Sequence, residues 1–381
     1  MINNKRVILH LARWYPTKFH ELNGIFIKNH ALSVSELTTS WILHVHSDPQ
    51  TNQFIFDFNK TGTLNELIVY FPRKNIIINS VNYYRAINKG FNLITQKAGK
   101  IQIIHVHVLT RIALYALYQK LKNRIPYIIS EHWTRYLPEN NIFNGFFRTK
   151  ITKYIVKKAA FVLPVTQHLA TNMQKHQLHH KNYIVVNNTV DTNIFKPLTE
   201  PITSNYFIHV SNFNNHHKNT QGLLRAFKKI SDLYPQYQLV MVGDGNFRPQ
   251  AENMAKQLQI PEQNIYFTGI KRNSELSRIF AEAIALVLFS NYENFPVVIA
   301  ESLACGTPVI ATCVGGISEH LTPDLGILIK SGDEAALTNA LIDMTLNYNK
   351  YNKAQLVSYA EKNFGSEQIG LKLYEIYNSI Q

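Results

Sequence analysis

Short apolar runs rich in β-branched residues, separated by longer amphipathic stretches, recur along the chain in two consecutive series. This alternation reads as repeated βαβ units built around parallel sheets. The first series contains Arg6–Leu11, Trp41–His46, Ile101–Val108, Tyr127–Ser130, Phe161–Val165 and Tyr183–Val186, with helical stretches such as Ile112–Lys122 between them. The second contains Tyr206–Val210, Gln238–Val242, Ile265–Thr268, Ala285–Phe289, Pro308–Thr312 and Gly326–Ile329, again with helices between, such as Gln221–Leu233. Each series predicts an α/β, doubly wound, Rossmann-like domain. Between them, Asp191–Ser204 carries Pro197 and Pro201 among polar residues, the composition of an interdomain connection. The expected domains are therefore 1–196 and 197–365, with 366–381 as a C-terminal helix packing back towards the first domain. A chain of 381 residues, 45% of them hydrophobic, can bury cores of that size.

Open α/β sheets bind ligands at the carboxyl ends of their strands, so two such domains facing each other would enclose a cleft lined by strand-to-helix loops. The chemistry is to be sought in those loops.

Charge divides the chain unevenly. Met1–Val190 holds 24 Lys and Arg against 7 Asp and Glu, a balance of +17, whereas Asp191–Gln381 holds 15 against 18, a balance of −3. A one-sided positive field attracts phosphates on nucleic acid, anionic lipid or a charged acceptor, and it also serves solubility. No nucleic-acid recognition module is present, so no nucleic acid is expected as partner. The stretch Phe146–Lys158 (FFRTKITKYIVKK) suits either a helix touching an anionic membrane or a solvated helix packed on its sheet. Met1–Pro16 does not read as a secretory leader, and no apolar run approaches the roughly 18 residues of a membrane span. The two cysteines, Cys305 and Cys313, sit in apolar segments and read as packing residues of a reducing compartment. The expected location is cytoplasmic, with peripheral attachment at the inner face of the membrane as an option.

The most informative segment follows the run Ala285–Phe289. Ser290–Pro296 reads as a loop and Val297–Ala304 as a helix, with Pro296 at its start and Gly306 and Pro308 after its end. Amides from Phe295 to Val298, together with the positive end of the helix dipole, would favour a diphosphate. Glu301 is exceptional inside this nearly apolar helix, and a carboxylate there needs a polar partner. On an ideal helix Glu293 and Glu301 would lie about 12 Å apart. That exceeds the roughly 5 to 5.5 Å of a retaining glycosidase pair. The spacing suits an elongated ligand gripped at two places.

Glu293, Glu301, Cys305–Thr312 (CGTPVIAT) and Gly315–Glu319 (GGISE) together resemble the signature of family 4 retaining glycosyltransferases of the GT-B fold. The resemblance implies that Glu293 lies by the donor hexose, Glu301 at the nucleoside ribose, and that Asn294, Phe295, Val297 and Val298 hold sugar and phosphate. Ser211–Asn219 (SNFNNHHKN) resembles the segment whose arginine and lysine neutralise the leaving diphosphate. Lys218 matches the lysine, while Asn212 stands at the arginine position, leaving one charge missing or supplied by Arg248 or Arg272. Ile270 corresponds to a position whose backbone reads the base, and Gly24 to a glycine of the loop after the first strand. Ser130–Trp133 (SEHW) resembles the histidine-bearing loop over the donor sugar, making His132 and Glu293 the catalytic candidates.

Family analogy further implies a UDP- or GDP-sugar donor, a glycan or lipid-linked acceptor, retained anomeric configuration, and a place in polysaccharide or glycoconjugate biosynthesis. A nucleotide-sugar epimerase of the same fold, or a non-catalytic nucleotide-sugar-binding protein, are the alternatives. His44 and His46, like His105 and His107, share strand faces, but neither pair has a third ligand at suitable spacing. No metal and no cofactor are therefore expected.

Overall fold

The computed structural model describes residues 5–140, 142–199, 204–214 and 216–380. The first unit comprises β1 (Val7–Ala12), α1 (Ile25–Ser35), β2 (Thr39–Asp48), β3 (Ile55–Thr61), β4 (Leu64–Pro72), α2 (Ile76–Ala98) and β5 (Ile103–His107). It continues with α3 (Ile112–Asn123), β6 (Tyr127–Glu131), α4 (Phe146–Lys158), β7 (Val162–Pro164) and α5 (Gln167–Lys175). Its seven strands run in the order β3-β4-β2-β1-β5-β6-β7, parallel except for β3 against β4. The central strands β1, β5 and β6 are buried along their whole length, which is why they read as continuous apolar runs.

The second unit comprises β8 (Tyr206–Val210), α6 (Thr220–Leu233), β9 (Gln238–Val242), α7 (Arg248–Gln257), β10 (Ile265–Gly269) and α8 (Asn273–Glu282). It continues with β11 (Ala285–Leu288), α9 (Val297–Ala304), β12 (Val309–Thr312), β13 (Gly326–Ile329), α10 (Glu334–Asn347) and α11 (Lys353–Phe364). Its six strands are all parallel, in the order β10-β9-β8-β11-β12-β13. The last helix, α12 (Ser366–Asn378), belongs to the first unit. Arg6 donates to the carbonyls of Tyr377 and Ile380 at 2.8 and 3.0 Å, and Gly370 lies so close to α1 that a Cβ would stand 1.9 Å from the Ser33 carbonyl oxygen.

Four features differ from the sequence reading. The chain passes between units at Thr189/Val190, ahead of Pro197, because the Val190 amide donates to the Phe364 carbonyl at 2.8 Å and ties that residue to the second unit. The hairpin of β3 and β4 was not anticipated, since β3 is a half-exposed edge strand with no sustained apolar run. Tyr183–Val186 forms only an isolated bridge to Val162 instead of a strand. Cys305 is buried as expected, but Cys313, one residue beyond β12, is exposed. Among the described residues no helix is long and apolar enough to cross a membrane.

Both cores hold histidines in their neutral form. Burial pushes His10 down to about 3, helped by nearby His30, and pushes His30, His44 and His209 down to about 4. In the unfolded chain these rings take up protons near the ordinary value of 6.5. Stability is therefore whole above that value and is lost as pH falls from it towards the folded-state values. Each ring should lower the unfolding free energy by about 2 kcal/mol between pH 7 and pH 5. Urea unfolding at the two pH values checks this; equal stabilities would show that the rings are not held neutral.

Candidate active site

In the second sheet the strand order reverses between β8 and β11, and at such a point the connections leave in opposite directions and open a crevice at the carboxyl edge. The loops after β8 and β11 meet there. Lys218 forms an ion pair with Glu293, whose Oε1 also accepts from the Ser290 hydroxyl at 2.9 Å and lies 3.9 Å from His217 Nε2. Glu293 is only 8% exposed. A buried carboxylate without such partners would carry a large desolvation penalty. Burial first, and then Lys218, lowers the basicity of His217, against the pull of Glu293; its ring stacks on Tyr292 at 5.1 Å between centroids.

The backbone around these side chains is held by glycines. Gly315 has φ +57°, and a Cβ there would stand 1.9 Å from the Glu293 carbonyl oxygen, while the Gly316 amide donates to Asn294 at 2.7 Å. Gly243 packs on the loop after β8 in the same way, with the Ser211 carbonyl oxygen 1.7 Å from where its Cβ would be.

Glu301 lies in the second turn of α9, half-buried, and burial pushes its carboxyl up to about 7. Pro296 caps α9 in extended backbone and brings no side-chain cap to the amides of Val297 and Val298. Asn294 and Phe295 are buried, Phe295 stacking on Phe364 at 5.0 Å. Asn212 is exposed, and its side chain accepts from the Asn214 amide at 3.3 Å. Arg248 pairs with Glu252 at 2.7 Å and Asp244 at 3.6 Å, so its charge is already engaged. Ile270 is 46% exposed beyond β10. A cavity of about 390 Å³ opens beside this region between the starts of α6 and α7, lined by Phe213, Asn219, Phe247 and Asn291 instead of by the two glutamates.

In the first unit, Gly24 caps α1 at φ +70°, and a Cβ there would meet the Trp14 carbonyl at 2.4 Å. His132 follows β6. Its Nδ1 lies 3.2 Å from Asn188 Oδ1, and its ring packs on Phe26 and His30 at 4.8 and 5.1 Å. Burial above all, then the proximity of His30, holds His132 well below the usual imidazole range. Glu131 shapes this loop by accepting from the amides of Leu109, His132 and Trp133, each at 2.9 Å. Neither Asn188 nor Ser290 was picked out from the sequence, because each is recruited by its fold position and lies in no recognisable motif.

His105 and His107 do gain a third histidine: His10 on the adjacent strand brings one ring nitrogen of each within 4.8 Å of the others. The absence of a third ligand inferred from spacing along the chain is thus corrected by strand pairing. Both nitrogens of His105 are engaged, with Tyr377 and Ser130 at 2.7 Å, and His10 Nδ1 lies 3.1 Å from His107 Nε2. The trio is a hydrogen-bonded core element with no carboxylate in it.

Residues 190–362 match the family described as Glycosyl transferases group 1, and residues 51–194 match Glycosyltransferase Family 4. The chain belongs to glycosyltransferase family 4. It has the GT-B fold: it superposes on sucrose-phosphate synthase of Thermosynechococcus elongatus with a TM-score of 0.79 at 18% identity, covering 99% of both chains. The Anabaena protein HepE, in complex with UDP, superposes with a TM-score of 0.74 at 16% identity over 98% of this chain and all of that one. In sequence, the chain is 28% identical over 298 residues to the N-acetyl-alpha-D-glucosaminyl L-malate synthase of Bacillus anthracis, covering 74% of this chain and 75% of that enzyme. An uncharacterised glycosyltransferase of Methanocaldococcus jannaschii is 26% identical over 244 residues, a stretch spanning 60% of this chain and 57% of that protein.

For this family 4 glycosyltransferase, the contact between Gly315 and Glu293 generates a sharp expectation. Gly315→Ala must strain a positive φ and displace the Glu293 backbone, so it should destabilise the second unit by about 2 kcal/mol or more. Thermal unfolding of the full chain reads this; an unchanged midpoint would show that the loop yields freely.

Proposed function

We propose that the protein transfers a sugar from a nucleotide diphosphate sugar, UDP- or GDP-linked, to a glycan or lipid-linked acceptor in polysaccharide or glycoconjugate biosynthesis, with retained configuration. The observation that carries this is Glu301: a half-buried carboxyl in the second turn of α9, raised by burial and hydrogen-bonded to no side chain in the described residues. Vicinal hydroxyls of a ribose would supply the donors that this group lacks, and hydrogen bonds to its ionised form would draw its proton affinity back down. The amides at the start of α9 then face a diphosphate. Lys218 has three donors and can serve Glu293 and a phosphate oxygen together. That HepE has been crystallised with UDP and with UDP-glucose supports the donor class.

In this reading positive charge grows on the sugar and negative charge on the leaving diphosphate. Glu293 and the α9 amides act at these two ends, and His132 orients the sugar. Asn212 leaves the phosphate side with one fewer side-chain cation than the family pattern, so the amides and Lys218 carry that load. No metal is required, and turnover should persist in a chelator.

Calorimetry with a panel of UDP- and GDP-sugars tests the reading. One donor class should bind, Glu301→Ala should weaken it about tenfold to a hundredfold, and Lys218→Ala should lower kcat more than it raises KM. Absence of binding by every nucleotide sugar, or release of an epimerised free donor without an acceptor, would overturn it.

A further inference from the structure

The carboxyl edge of the first sheet has its own reversal point, between β1 and β5. A cavity of about 510 Å³ lies there, and four arginines line it from four successive segments: Arg13 after β1, Arg111 at the start of α3, Arg135 after β6 and Arg148 in the first turn of α4. The remainder of the lining is Trp133, the hydroxyl-bearing Thr110 and Thr152, and apolar side chains of α3, α4 and the loop before α3; no acidic side chain contributes. None of the four guanidinium groups forms an ion pair among the described residues.

These arginines are held in place, and not by carboxylates. The Arg111 guanidinium lies 3.8 Å over the Tyr83 ring, and that of Arg135 lies 4.6 Å over Trp133 and 5.2 Å from Phe143. Arg135 is 7% exposed, donates to the Leu109 carbonyl at 3.3 Å, and its buried Nε has no partner. Glu131, which feels the charge of Arg135 without forming an ion pair with it, is already committed to three amides. Burial, and next to it the charge of Arg111, works against the guanidinium of Arg13, while Tyr83 favours it. Like charges gathered in a partly desolvated cavity repel, and a bound anion removes that cost.

Stacked, preoriented guanidinium forks match carboxylate and phosphate oxygens in bidentate geometry. We propose that this cavity binds the acceptor through an anionic group, a phosphate or a carboxylate, with the body of the acceptor against Trp133 and the apolar wall. The assignment as acceptor rests on the reading of the chain as a sugar transferase; the anion site itself rests on the arginines.

The protein, saturated with whichever of UDP and GDP it binds, is titrated calorimetrically with malate, glycerol phosphate, a short-chain phosphatidate and neutral glycerol. At least one anion should bind and glycerol should not. Arg111→Met and Arg148→Met, both at exposed positions, should each weaken the anion about tenfold, while Lys122→Met, which removes a charge outside the cavity, changes it less than twofold. A preference for phosphatidate over glycerol phosphate would assign the phosphate to a lipid headgroup, and a preference for malate would assign a soluble carboxylate. Affinity for that nucleotide is read in parallel and should be equal in all variants. If the nucleotide binds but no anion does, or if the anion binds equally to both arginine variants, the site is wrong. If the anion binds through the arginines while neither UDP nor GDP binds at all, the acceptor assignment is overturned together with the donor reading.

Discussion

Parallel pairing forces every strand-to-helix connection of a sheet to the same edge, and a reversal of strand order turns one place on that edge into a crevice. In each unit of this protein the reversal decides where chemistry can sit: between β1 and β5 in one, between β8 and β11 in the other. The side chains there come from residues far apart in the chain, and what holds them in register is backbone contact. Gly24, Gly243 and Gly315 each bring one loop so close to the next that no Cβ would fit. The loops thus behave as packed elements of the scaffold, and the positions of Lys218 and Glu293 follow from that packing.

The carboxyl groups differ in how far the protein satisfies them internally. Glu131 is fully buried, yet three backbone amides compensate it, and it serves to shape the loop bearing His132. Glu293 is paired with Lys218 and Ser290. Glu301 is raised by burial with no compensating side-chain bond among the described residues. Desolvation uncompensated by hydrogen bonds is what distinguishes a binding group from a structural one, and by that criterion Glu301 stands apart from the other two.

Much of this was legible in the sequence where information is local. Continuous apolar runs located eleven of the thirteen strands, because strands buried on both faces carry no polar alternation to confuse with a helix. The segment from Glu293 to Glu319 was legible because a loop, a helix start and a close glycine contact each leave a residue that only that geometry tolerates. What depends on strand order was hidden. His10 meets His105 only because β1 pairs with β5, and the four arginines converge only because β1, β5 and β6 lie side by side. β3 was missed because an edge strand buries too little to leave a clear apolar pattern, whereas β4, an interior strand, carries an apolar run over residues 67–71 that the sequence reading does not assign.

Topology also changes what the basic first half of the chain means. A balance of +17 spread along a sequence suggests a diffuse field, and most of those lysines do stand exposed at the surface, where salt screens them over roughly 8 Å. Such a field gathers anions near the surface without choosing among them. Arg13, Arg111, Arg135 and Arg148 are a different resource: few in number, the last three set over aromatic rings, and all lining one cavity with no acid in its walls. Selection requires that second arrangement, because a planar fork fixed by stacking rewards only an anion whose oxygens fit it, whereas a mobile lysine rewards any charge that comes near.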